Sequence, residues 1–216
     1  GCDSGELFAG RKIEKEESFL THLNRHNVIR LDIQRFLFDE LHLDIFIDKI
    51  QEAVIRELET EYSGCFIVDQ YGLPGVLEQI YGHTKEGFIF IIDEWDCVFR
   101  FAKERQEIQK AYLDFLRGLF KGAEYVELAY MTGLLPIKKY GEHKVNSAES
   151  GREGPLGGSA INIFKEFSML NPGPFAEYFG FTEAEVEELC RKYGIDYGKT
   201  KEWYDGYLIG DFHIYN

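Results

Sequence analysis

The sequence predicts an α/β domain built on a mostly parallel sheet. Three observations carry this. Strand-like and helix-like segments alternate along most of the chain. One strand, Phe88-Ile89-Phe90-Ile91-Ile92, is apolar without alternation, the pattern of a parallel strand buried between two helix layers. That strand runs into two acids, Asp93 and Glu94, where open α/β sheets place their ligand sites.

The elements follow in order. Ser18 to Asn24 reads as an amphipathic helical stretch, and Asn27 to Ile33 as the first strand. Phe46, Ile50, Val54 and Leu58 recur at four-residue steps, which predicts a helix from about Asp44, with Asp44 as its N-cap. A shorter helix starts near Leu73-Pro74, with Pro in its first turn and Val76, Leu77 and Ile80 inward. After the Phe88–Ile92 strand, Ile108, Tyr112, Phe115, Leu116 and Leu119 mark a helix over 104–121, with Gly122 as its stop. Tyr125 to Thr132 is the third strand. Connections between parallel strands are expected to be right-handed.

Asn146 to Ser159 breaks the pattern. It reads NSAESGREGPLGGS, too rich in Gly and Ser to bury a face, and Ser-Ala stands at both of its ends. It reads as a flexible insertion whose removal, Ala148 to Ser159, leaves stability nearly unchanged, because loop closure costs only ~0.6 kcal/mol per doubling of length. Beyond it, Phe167 to Leu170 is expected as a short strand. Thr182-Glu183-Ala184-Glu185 is a capping box opening a helix through Cys190 to Gly194. Trp203 to Tyr207 reads as an aromatic turn after another short helix, serving the core rather than a ligand.

Composition narrows the function classes. Net charge is −14, which repels a phosphate backbone and disfavours nucleic-acid binding by this segment. The four cysteines, Cys2, Cys65, Cys97 and Cys190, have neither metal nor redox spacing, and His22, His26, His42, His83, His143 and His213 form no ligand pattern. No apolar run approaches the ~20 residues of a membrane span, and no secretory signal is recognisable, so a cytoplasmic location is expected. The chain opens on Gly1 and stops at Tyr215-Asn216, which reads as a piece of something longer.

Chemistry concentrates after the apolar strand. Bare acids at a buried strand end cost several kcal/mol unless a cation or polar partner offsets them. In ATPases of the P-loop type the first such acid holds the Mg²⁺ shell and the second activates water, and Asp93 and Glu94 have that order. The plain alternative is a strand turning into solvent on acidic residues. Asp96 is a possible cap for the next helix. Thr132-Gly133, at the tip of the next strand, suits a γ-phosphate sensor or a simple turn. Lys138, Lys139 and Lys144 read as a solvated basic loop, and Arg100 and Arg105 as an exposed helix face rather than trans-acting fingers. No G-x-x-x-x-G-K-[ST] occurs, so the phosphate cradle and its lysine are missing from these residues.

The segments GCDSGELFAG, HLNRHNVIRLDI, FIFIIDEWDCVFR, YLDFLRGLFKG, YMTGLLPIKKYG, FKEFSMLNPGPFAEYFGFTEAEVEELC and KEWYDGYLIGDFHIYN resemble, in order, the AAA-ATPase-like family, in which a PD-(D/E)XK nuclease-like domain often follows the ATPase core. The resemblance implies a P-loop NTPase-like three-layer sandwich. Its Walker A loop and first strand precede Gly1, Walker B falls on Asp93 and Glu94, and the sensor falls on Thr132. It implies strand order 5-1-4-3-2, with Phe88–Ile92 between the other two strands and a gap beside Val126–Met131. It further implies a partial core over 1–170 and the start of a small helical lid over 171–216, near Phe181 to Gly194. ATP and Mg²⁺ are the cofactors it implies for the parent protein, a hydrolase, with this chain alone inactive. Two other functions stand beside it: a degenerate, non-catalytic interaction module, and a metal-dependent nuclease using Asp93 and Glu94. The nuclease needs a lysine on an adjoining strand and a basic groove.

Overall fold

In the computed structural model, which describes residues 4–37, 40–134 and 163–215, β1 (Asn27–Asp32), β2 (Phe88–Asp93) and β3 (Val126–Met131) form a parallel sheet in the order β1-β2-β3. The apolar strand is central, as expected. The chain divides into two compact units, residues 1–163 and 164–216. The Asn146–Ser159 segment and Lys138, Lys139, His143 and Lys144 lie outside the described residues.

One face of the sheet carries Ile29, Leu31, Phe88, Phe90 and Ile92, all buried. α2 (Phe46–Glu61) buries Phe46, Ile50, Val54 and Leu58, and α3 (Gly72–Thr84) buries Leu73, Val76, Leu77 and Ile80. α5 (Gln106–Phe120) buries Ile108, Tyr112, Leu116, Leu119 and Phe120. α3 touches both α2 and α5, and the Phe120 ring meets Phe90 edge-on at 5.2 Å. Each such side chain removed from water contributes ~1.5–3 kcal/mol, so this interface holds the sheet in place. α1 (Phe19–His22) is a single turn, and α4 (Cys97–Phe101) links β2 to α5.

Several details differ from the sequence expectation. β2 is not covered on both faces: on the side opposite the helices, Val28, Ile91, Leu128 and Tyr130 remain between 37% and 55% exposed. An unbroken apolar run shows that both faces can be buried; a covering element is a separate requirement, and none packs there among the described residues. Asp44 is not the cap of α2. Ile45 holds that position, and the Asp44 carboxylate accepts from Arg105 Nη2 at 2.6 Å. Residues 167–170 form no strand. Ser168 and Asn171 exchange backbone hydrogen bonds of 3.1 and 3.0 Å across a tight turn, as the following Pro172-Gly173 favours.

In the C-terminal unit, Thr182 and Glu185 form the expected capping box of α6 (Glu183–Tyr193), and Gly194 ends it at φ +66°. α7 (Tyr197–Tyr204) follows. The aromatic tail is a β-hairpin rather than a turn. β5 (Asp205–Ile209) pairs antiparallel with β6 (Phe212–Tyr215) around Gly210-Asp211, and β6 also pairs with β4 (Phe181–Thr182). Gly-Asp between two apolar runs is a two-residue hairpin signal, with Gly210 at φ +60°.

Candidate functional site

Parallel pairing with matched register brings three strand tips together. Asp32 lies opposite Asp93, and Ile92 lies opposite Met131, one residue before Thr132. Thr132 continues the ladder: its N–H donates to Ile92 O at 2.8 Å, and Trp95 N–H donates back to Thr132 O at 3.1 Å. Side chains alternate along a strand. Asp32, Asp93 and Thr132 therefore fall on the same side of the sheet as the exposed Val28, Ile91 and Tyr130.

Asp93 and Thr132 are in direct contact. The Thr132 hydroxyl donates to Asp93 Oδ1, and Glu94 N–H donates to the same oxygen at 3.0 Å. Two donors thus orient one carboxylate. Glu94 takes φ +52°, a left-handed conformation that costs a non-glycine residue roughly 1–2 kcal/mol. Backbone strain of this kind persists where surrounding contacts over-determine it, and it clusters at functional sites. Here it turns the chain sharply from β2 into α4.

The Arg100 guanidinium then closes the site. Its Nη2 pairs with Glu94 Oε2, and its Nε lies 3.4 Å from Asp96 Oδ2. Arg100 is therefore not on an outward helix face, as its sequence position suggests; the one-turn α4 rolls it back over the acids. Arg105 does sit at the surface, bridging Asp44 and Glu107. Asp96 occupies the cap position of α4 but makes no cap bond. It is fully buried and accepts Leu134 N–H at 3.2 Å.

Sequence reasoning passed over Asp32 and the inward turn of Arg100. Asp32 carries a buried carboxylate oxygen with no hydrogen-bond partner, an arrangement that demands explanation in a native fold. Its signal was available: each of the three strands ends its apolar run on a polar residue. Cys97, next along the chain, is no nucleophile. Burial pushes its thiol up to about 12, against the opposing pull of Arg100, and a buried thiol is inert.

The site's donors are hard oxygens, the Asp93 carboxylate and the Thr132 hydroxyl, which is the set Mg²⁺ takes alongside water and phosphate oxygens. No group of three or more His, Cys, Asp and Glu side chains is arranged for a metal among the described residues, so water and phosphate would have to complete the shell. The Arg100 guanidinium pairs with Glu94 and Asp96, and Asp93 adds a third carboxyl group at this turn, so the local charge repels a bare triphosphate. No helix among the described residues is long and apolar enough to cross a membrane.

No curated protein and no solved structure matches the chain significantly. The sequence profile of the AAA-ATPase-like family, described as "Predicted AAA-ATPase", matches residues 3–141. That span holds the whole parallel sheet and every residue of the acidic site, and on it the chain belongs to the AAA-ATPase-like family.

Proposed function

We propose that this chain supplies the metal-binding and water-activating half of a Mg²⁺-dependent ATP-hydrolysing site on a P-loop-type sandwich. The phosphate-binding loop then comes from outside these residues. The observation that carries the reading is the Thr132–Asp93 hydrogen bond between neighbouring strand tips, one residue from Glu94. Mg²⁺-bound ATP, when present, supplies the electrophilic γ-phosphoryl group. Asp93 offers an oriented carboxylate to the metal shell. Glu94, one residue farther on, accepts the proton of the attacking water. Thr132 holds Asp93 in place and presents its hydroxyl at the same edge, the position of a sensor. The nuclease alternative has less support, because neither β1 (NVIRLD) nor β3 (VELAYM) carries a lysine.

The test compares this chain with a form extended N-terminally to include a G-x-x-x-x-G-K-[ST] loop, using Mg-ATP calorimetry and phosphate release. The chain alone is expected not to bind appreciably, because a run of backbone N–H groups and a lysine are what hold the phosphates. The extended protein binds and turns over. Glu94→Gln keeps binding and loses turnover, since an amide takes no proton, and Asp93→Ala weakens the Mg²⁺-dependent part of binding. Tight ATP binding by the chain alone, or full turnover by the Glu94→Gln protein, refutes the assignment. An extended protein that binds ATP without turnover identifies a non-catalytic module instead.

A further inference from the structure

We propose that Arg100 is a positioning residue for Glu94, and that buried Asp96 is what fixes Arg100. The inference rests on the hydrolytic reading of Glu94 given above.

The starting point is Asp96. It has no solvent exposure, and an ionised carboxylate so placed costs several kcal/mol unless it is paired and hydrogen-bonded. Leu134 N–H donates to Oδ1 at 3.2 Å, and Arg100 Nε lies 3.4 Å from Oδ2, an ion-pair contact in which the buried Nε makes no hydrogen bond. Moving the guanidinium away would take its charge from beside a fully buried carboxyl group. With its Nε edge facing Asp96 as an ion pair, the guanidinium donates through Nη2 to Glu94 Oε2. Arg100 and Glu94 are 28% and 32% exposed, so water screens this pair less than an ordinary surface contact. A planar fork with donors along two edges can serve both acids at once; a lysine ammonium is a point charge that cannot span them in the same way.

The same acid ties this clamp to the end of β3. Leu134 is two residues beyond Thr132, and between them Gly133 lies against Asp96: a Cβ there would be 2.5 Å from Asp96 Oδ1. Glu94, Arg100, Asp96 and the Thr132-Gly133-Leu134 turn thus form one connected unit. Glu94 itself sits on a strained backbone at φ +52°, where an anchored side chain matters most. A base must be held within a fraction of an ångström of its productive position, and a displacement of about 1 Å can cost ~100-fold in rate.

The experiment has two arms. In the extended, ATP-hydrolysing protein, Arg100→Ala is expected to lower kcat by roughly 10- to 100-fold while KM for ATP moves less than about twofold. Arg100→Lys restores part of the loss, and Asp96→Asn lowers kcat in the same way. In the 216-residue chain, a double-mutant cycle of Asp96→Asn with Arg100→Ala, read by urea unfolding, is expected to show coupling on the order of tenfold in the unfolding constant. Additive single effects overturn the fixing role of Asp96. An unchanged or raised kcat in Arg100→Ala, or a KM that rises as kcat falls, overturns the positioning role. If the wild-type extended protein releases no phosphate, the hydrolytic reading falls and the catalytic half of this inference with it; the cycle still decides whether Asp96 holds Arg100.

Discussion

Replacing Gly133 by alanine probes the junction between β3 and the acidic turn with a single methyl group. Its Cβ would lie 2.5 Å from Asp96 Oδ1, 2.6 Å from Trp95 Cδ1 and 2.8 Å from Trp95 Nε1. Neither neighbour has room to retreat: Asp96 is 0% exposed and Trp95 3%. Overpacking of this kind costs ~1–3 kcal/mol. Alanine also restricts the unfolded chain and returns ~0.4–1 kcal/mol, which leaves a net loss of up to about 2.6 kcal/mol, centred on about 1.3 kcal/mol. For a chain of this size each kcal/mol shifts Tm by ~2–4 °C, so a fall of roughly 3–5 °C is expected at the centre of that range. Gly118→Ala is the matched control. It lies within α5, and its Cβ would meet nothing within 4 Å, so it should gain ~0.5–1 kcal/mol. Urea unfolding followed by far-ultraviolet circular dichroism reads both. If Gly133→Ala is as stable as the wild type while Gly118→Ala gains, the space between β3 and the acidic turn is not closed, and the connected unit of Glu94, Arg100 and Asp96 loses its anchor.

Two buried tyrosines should respond oppositely to loss of their hydroxyl. Tyr125 donates to Leu119 O at 2.6 Å, so Tyr125→Phe strands a buried carbonyl and costs ~1–2 kcal/mol; the Tyr112 hydroxyl is buried without a partner, so Tyr112→Phe is neutral or stabilising by up to ~1 kcal/mol, both read as urea midpoints. Stability should also fall on the alkaline side. Burial pushes the Cys97 thiol up to about 12 and raises the Tyr112 phenol well above its usual value. Below the ordinary thiol range, folded and unfolded chains both keep the Cys97 proton; from about pH 9 upward the unfolded chain loses it first, so the urea midpoint drops between about pH 9 and 12. At pH 8 a thiol reagent should label the partly buried Cys65 in the native protein but reach Cys97 and Cys190 only as fast as the chain opens.

Much of the parallel sheet was legible because its signals are local. Helical spacing in Phe46, Ile50, Val54 and Leu58 located the buried stripe of α2, and the Thr182–Glu185 pair located the start of α6. The hairpin at Gly210-Asp211 was equally local, yet the aromatic residues around it drew attention to packing instead of to the turn. Asp44 failed as a cap for a different reason: Arg105 lies 61 positions away in sequence, and a long-range ion pair competes for the same carboxylate without leaving any local trace.

The site shows the same division. That Asp93, Glu94 and Thr132 lie together was legible because Asp93-Glu94 and Thr132 each follow an apolar strand, and parallel pairing with a register set by burial must then bring the tips together. Arg100 could not be assigned that way. At i+6 from Glu94 and i+4 from Asp96 its spacing equally suits a solvent-facing turn, and only the length of α4, five residues, decides the matter. A longer helix would carry the next residues outward along its own axis. This one ends at Ala102, whose carbonyl accepts from the buried Gln109 amide at 2.8 Å, so the turn is pinned at its far end with Cys97, Val98 and Phe99 buried beneath it. The side chain left beside the strand tip is Arg100, and the acid that must be neutralised there is Asp96. Burial of the apolar residues sets the turn, the turn delivers the guanidinium, and the guanidinium holds Glu94. That order of causes is why a residue with no catalytic motif of its own is expected to govern kcat.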